Sequence, residues 1–146
     1  SIQTDAGHLE RMSLEVFQCG LSWKIVLVKR PAFRRLFEGF RIDRVAKFGR
    51  RDVDRICRDP SIIRNRKKIE AVVSNARVFR ELAAKHRSYR RWFEALPADS
   101  PRARSGLFRV FGETFKFMGP ETTKCYLMGV GKITPEHDRE CWRWEA

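Results

Sequence analysis

The stretch "NRKKIEAVVSNARVFRELAA", Asn65–Ala84, limits the fold more than any other part of this chain. Ile69, Val72, Val73, Ala76 and Phe79 recur at the spacing of one helix face, and the run is too long for an ordinary strand. A helix with such a stripe needs partners to cover it. The rest of the chain supplies them as short helices, with little sign of strands. Thr4 or Asp5 caps a first helix in which Leu9, Met12 and Val16 share a face, and Gly20 ends it. Ser22 caps a second, with Trp23, Val26 and Leu27 inward. Pro31 falls at the first turn of another helix, whose stripe is Phe33, Leu36, Phe37 and Phe40. Asp43 and Asp52 begin two more. A polar loop, "LPADSPRARSG" at residues 96–106, precedes a C-terminal part too small for a core of its own. These features predict a compact all-α helical bundle, one domain over residues 1–146.

Composition then narrows the partner. The chain has 146 residues and an ordinary hydrophobic fraction of 42%, but 31 Lys and Arg face 18 Asp and Glu, a formal net charge of +13. That excess calls for a polyanion, most often nucleic acid. A membrane is the weaker partner, because the longest apolar run, "WKIVLVKRPAF", is broken by Lys24, Lys29, Arg30 and Pro31. The first residues, "SIQTDAGHLER", carry no signal-peptide pattern, so an intracellular, cytoplasmic protein is expected. The segment "RRDVDRICRDPSIIRNRKK" collects Arg50, Arg51, Arg55, Arg58, Arg64, Arg66, Lys67 and Lys68 around a turn, as a phosphate-tracking face would. Cys19, Cys57, Cys125 and Cys141 have no close-spaced pair and are expected as reduced thiols, the first three in the core.

Three segments carry candidate chemistry. In "FKFMGPETTKCYLMGVG", a Gly119-Pro120 corner starts a helix whose first N–H groups suit a phosphate, with Lys116, Thr122 and Thr123 beside it. An ordinary glycine–proline helix start reads the same way. In "EHDREC", His137 and Cys141 share a helix face and supply two ligands of the four that structural zinc wants. In "LEVFQCGLSW", an acid, rings and a flexible corner fall within ten residues. A protein that works on a DNA base flips it into a pocket, stacks it on a ring, reads its edge and fills the gap left in the duplex. Trp23, with Phe17 beside it, Glu15, and the Gly20-Leu21 corner match those needs. The competing reading is a packed helix pair with Trp23 in the core.

The run "LEVFQCGLSWKIVLVKRPAFRRLFEGF" closely resembles the pattern of type I 3-methyladenine DNA glycosylase, and the similarity continues through "DVDRICRDPSIIRNRKKIEAVVSNARVF" and "FKFMG". The resemblance implies a helix–hairpin–helix glycosylase fold and a monofunctional enzyme, one that excises N3-methylated adenine from alkylated duplex DNA. It casts Glu15 as the pocket glutamate, Trp23 as the stacking tryptophan, Gly20 and Leu21 as the corner that probes the lesion, and "FKFMGPETT" as the phosphate-binding hairpin. No cofactor is implied for the chemistry. Structural zinc is implied in the family, with His137 and Cys141 matching the C-terminal half of that site. The other two ligands, and further aromatic pocket residues, belong to a segment before the first helix that has no counterpart here. Cys19 replaces an alanine, and "GPETT" is one residue longer than usual. A monomer suits a protein that scans DNA. The alternatives are a non-catalytic module of the same fold that binds DNA or a damaged base, and a basic helical protein for RNA.

Overall fold

The long amphipathic segment folds as α5, Arg66–His86, started by Asn65, whose side chain accepts the Lys68 N–H at 3.2 Å. Its expected stripe is buried, and the first, third, fourth and sixth helices of the chain pack on it. The structure, a computed structural model, describes residues 2–18 and 22–134. Among these the regular elements are all helical. In chain order they are α1 (Asp5–Gln18), α2 (Trp23–Leu36), a 3₁₀ turn (Glu38–Phe40), α3 (Ile42–Val45) and α4 (Arg50–Arg58). After α5 come α6 (Tyr89–Ala95), α7 (Pro101–Thr114) and α8 (Pro120–Gly129). α1 is the second axis, packing on α2, α5 and α8.

Burial of Leu9, Met12 and Val16 on α1, and of Phe33, Leu36, Phe37 and Phe40 behind α2, follows the apolar spacing. Pro31 departs from expectation: it lies inside α2 rather than at a first turn. The helix survives the lost N–H because tertiary contacts hold it on both sides of the proline. Val26 and Phe33 are buried, and Arg30 and Arg34 both grip the carboxylate of Glu10 on α1, Arg30 at 2.7 Å. Burial pushes the Glu10 carboxyl up, but the bonds from Arg34 and Arg30 outweigh it and hold it below the usual range. Ser22 precedes α2 in an extended conformation without a side-chain cap bond.

The polar loop is shorter than residues 96–106. Ser100 accepts the Ala103 N–H at 3.0 Å and Pro101 opens α7, so the helix absorbs the second half of that stretch. Burial of Leu107 and Phe111 supplies the reason. Thr4 caps α1, its hydroxyl accepting the Gly7 N–H at 3.0 Å. Asp5 serves a different helix. Its carboxylate accepts the N–H groups of Tyr89 and Arg90 at 2.9 and 3.0 Å and so caps α6 from far along the chain. Beside it, His8 bonds the Tyr126 hydroxyl at 2.8 Å, and Tyr126 bonds the Tyr89 hydroxyl at 2.7 Å, all within an aromatic core that includes Phe79, Phe93 and Phe111. Desolvation lowers His8 to about 4, so its ring is neutral at pH 7, and burial pushes both tyrosines up. Cys125 is buried, as expected, and Cys57 is half-buried against the core.

Candidate functional site

The last two turns of α1 and the first residue of α2 form a buried polar site. Glu15 is only 1% exposed and Trp23 4%. Helical spacing puts Arg11, Glu15 and Gln18 on one face of α1. The Arg11 guanidinium reaches the Glu15 carboxylate at 3.2 Å, and the Gln18 amide donates to its other oxygen at 2.9 Å. The same guanidinium carbon lies 5.1 Å from the centre of the Trp23 ring, a cation–π contact. Arg11 therefore bridges the two residues that the sequence singled out. Its Nε and the Trp23 indole N–H are buried without a hydrogen-bond partner among the described residues.

Phe17 is not part of this site. Two positions after Glu15 it points to a different helix face, is fully buried, and packs against Phe33 with ring centres 4.8 Å apart. The residue expected to bind the base is thus packed in the core in this structure. Gly20 and Leu21 lie outside the described residues, as do Cys19, His137 and Cys141. Among the described residues, no three His, Cys, Asp or Glu side chains gather as a metal would require.

A second region is the turn between α7 and α8. Asn75 on α5 braces it, accepting the Lys116 N–H at 2.8 Å and donating to the Lys116 carbonyl at 3.2 Å. Phe117 stands in the turn at φ 59° and 48% exposed, an uncommon conformation for a bulky residue. Gly119 is the N-cap of α8 and Pro120 its first residue. The two threonines do not present their side chains to solvent. Thr123 is 0% exposed and its hydroxyl donates to the Met118 carbonyl at 2.9 Å, while Thr122 is also buried. What faces outward is Lys116, Gly119 and the start of α8, where helix geometry leaves the first N–H groups without intrahelical partners. Glu121 adds an exposed carboxylate to that first turn.

Between this turn, α4 and α5 runs an open cleft of about 630 Å³, lined by Phe48, Arg50, Lys67, Lys116 and Phe117 among others. Residues of the basic run stand along it, Arg66 among them. Arg66 is paired with Asp54, and Arg55 with Asp52 at 3.4 Å. Arg50 and Lys67 line the cleft and are exposed. Phe117 and Arg11 escaped the sequence reading. An Arg four residues before a Glu reads as a surface pair, and a Phe in the apolar lead-in "FKFM" reads as core.

An all-helical protein with a buried acid–tryptophan site and a basic turn beside a basic cleft has the parts of a nucleic-acid base handler. The sequence pattern of the methyladenine glycosylase family matches residues 1–106, and the chain belongs to that family. It is 42% identical over 81 residues to DNA-3-methyladenine glycosylase 1 of Escherichia coli, covering 55% of this chain and 43% of that protein. It is 40% identical over 70 residues to DNA-3-methyladenine glycosylase of Haemophilus influenzae, covering 48% of this chain and 38% of that one. The chain thus spans less than half the length of the curated relatives it matches. In structure it resembles 3-methyladenine DNA glycosylase I of Staphylococcus aureus, with a TM-score of 0.76 at 24% identity over 86% of this chain and 76% of that one. A 3-methyladenine DNA glycosylase I solved in solution matches with a TM-score of 0.69 at 30% identity, over 86% and 75% of the two chains. No helix among the described residues is long and apolar enough to cross a membrane.

Proposed function

We propose that this protein is a DNA repair glycosylase that excises N3-methylated adenine from alkylated duplex DNA inside the cell, acting as a monomer. The observation that carries the reading is the meeting of Glu15 and Trp23 at one buried site, where a single planar cation already touches both. A 3-methyladenine nucleotide is also a planar cation. Its glycosidic bond is weakened by that charge, so the protein has mainly to flip, hold and electrostatically favour the departing base. Trp23 offers the stacking face, and Glu15, oriented by Gln18, offers a carboxylate to the electron-poor edge. Water completes the hydrolysis, and neither a covalent nucleophile nor a cofactor is needed.

The DNA backbone would be held by Lys116, Gly119 and the first N–H groups of α8, with Arg50 and Lys67 extending the contact along the cleft. Thr122 and Thr123, expected as DNA-binding residues, are proposed to support that contact from beneath by shaping the turn, a reading supported by the internal bond of Thr123 and the burial of both. The Gly20-Leu21 corner is proposed to enter the duplex at the lesion. His137 and Cys141 are proposed as the C-terminal half of a structural zinc site, and no chemical step passes through it.

The test is release of free base from methylated duplex DNA, comparing this chain with Glu15→Gln. Release of 3-methyladenine that collapses in the variant supports the enzyme reading. Salt-dependent DNA binding without release by the unaltered chain would replace it with a non-catalytic, DNA- or base-binding module.

A further inference from the structure

We infer that Arg11 is an intramolecular competitor for the base pocket: its guanidinium stands where the base would stand, and a base enters only by displacing it. This inference rests on the reading of Glu15 and Trp23 as the base site. The guanidinium makes both contacts that a cationic alkylpurine would make there, an ion pair to Glu15 at 3.2 Å and a cation–π contact to Trp23 at 5.1 Å. A base and the guanidinium cannot use the same ring face and the same carboxylate together.

The site is also fitted to the guanidinium as an exchangeable group. On its far side lies Gly129 of α8, where a Cβ atom would stand 2.6 Å from one Arg11 terminal nitrogen and 2.7 Å from its Cζ and Nε. Only a residue without a side chain leaves that space. Yet the fit is incomplete, since Arg11 Nε and Trp23 Nε1 are buried donors with no partner among the described residues. An arginine kept only to neutralise a glutamate would gain by satisfying its donors. Of the two, the Arg11 donor leaves with the guanidinium, while the Trp23 indole N–H stays behind for an acceptor, which a purine has and a guanidinium lacks.

The consequence is a threshold. A competitor that fills the site nine-tenths of the time lowers the apparent affinity of every base about tenfold. It lowers all of them by the same factor, because each must displace the same group. Neutral adenine, which compensates Glu15 poorly once Arg11 has left, falls below the level at which flipping is productive, while a cationic base replaces one cation by another.

The experiment is calorimetric titration of the whole chain with 3-methyladenine and with adenine as probes, for the unaltered protein and Arg11→Met. The expected result is tighter binding of both bases by a common factor of about ten or more, reversed by added methylguanidinium. Equal or weaker binding by Arg11→Met, with measurable binding by the unaltered chain, overturns the competitor and leaves the base site standing. Binding by neither protein overturns the base site and the competitor with it. Should Arg11→Met fail to fold, Gly129→Ala takes its place. The new methyl group must push the guanidinium aside while the charge stays in the chain, so base affinity rises. Unchanged affinity in a folded Gly129→Ala protein overturns the inference.

Discussion

Helix α1 buries polar groups at both ends, and the two ends differ in how they treat them. At the N-terminal end, His8 joins Tyr126 and Tyr89 in a chain of bonds at 2.8 and 2.7 Å, and Asp5 caps α6. None of these side chains has a buried polar atom without a partner among the described residues. Towards the C-terminal end, Arg11 Nε and the neighbouring Trp23 Nε1 are buried without a partner among the described residues, as is Arg30 Nε beside Glu10. Closing such bonds stabilises a fold, because each buried group left open costs about 1–3 kcal/mol. A cluster that serves a ligand keeps some of them open until the ligand arrives. Under the proposed function, the contrast is one between scaffold and base site on a single helix.

The largest expected effect tests that division directly. Glu15→Gln keeps the shape and the possibility of a bond from Gln18 but removes the charge that favours a cationic base. Base release from methylated DNA should fall about 100-fold or more, the scale on which a single electrostatic contact to a developing charge acts. Tyr126→Phe should do the reverse. It strands His8 and Tyr89 and lowers stability by about 2 kcal/mol in urea unfolding, while the rate per folded molecule stays unchanged. A rate loss in Tyr126→Phe comparable to that in Glu15→Gln would erase the distinction between the two ends.

Acid sharpens the comparison next. His8 is held at about 4, below the 6.5 of an exposed histidine, so between those pH values the unfolded chain binds a proton that the folded one refuses. Stability must therefore fall as pH drops from about 6.5 towards 4, by roughly 2 kcal/mol over the window once solvent screening is allowed for. His8→Gln, which cannot take up the proton, should flatten that slope. Urea unfolding at several pH values decides it, and an equal slope in both proteins would place the acid sensitivity elsewhere.

How far the sequence carried each region follows from the range of the interactions. α5 was legible because twenty residues repeat one period without interruption. The start of α8 at Gly119-Pro120 was legible from two residues that shape the backbone. Pro31 misled because a proline's local preference for a first turn is weaker than the packing of Val26 and Phe33 around it. The loop at 96–106 hid the start of α7, since a serine–proline pair reads equally as a turn or as a cap. Asp5 and Asn75 were illegible for another reason: each bonds a backbone segment distant in sequence, and nothing local announces it. In the site itself, Glu15 and Trp23 stood out through a pattern of residue types. Phe17 belonged to the same run and turned out to face the core, because a short motif does not say which of its rings looks inward.

The smallest effect lies on the surface, in a third kind of polar group that neither end of α1 contains. Glu121 sits exposed in the first turn of α8. A carboxylate there complements the positive end of the helix and stabilises it by about 0.3–1 kcal/mol at low salt. It also stands where a DNA phosphate would approach the same N–H groups. Glu121→Gln should therefore move two quantities in opposite directions, lowering stability slightly while tightening duplex binding about two- to threefold at low salt. Lys116→Ala on the adjoining turn should weaken binding and reduce the slope of log affinity against log salt by about one. If Glu121→Gln changes stability but not affinity, the start of α8 is merely a helix cap. The phosphate contacts then belong to the cleft, where Arg50 and Lys67 carry exposed charge beside the turn.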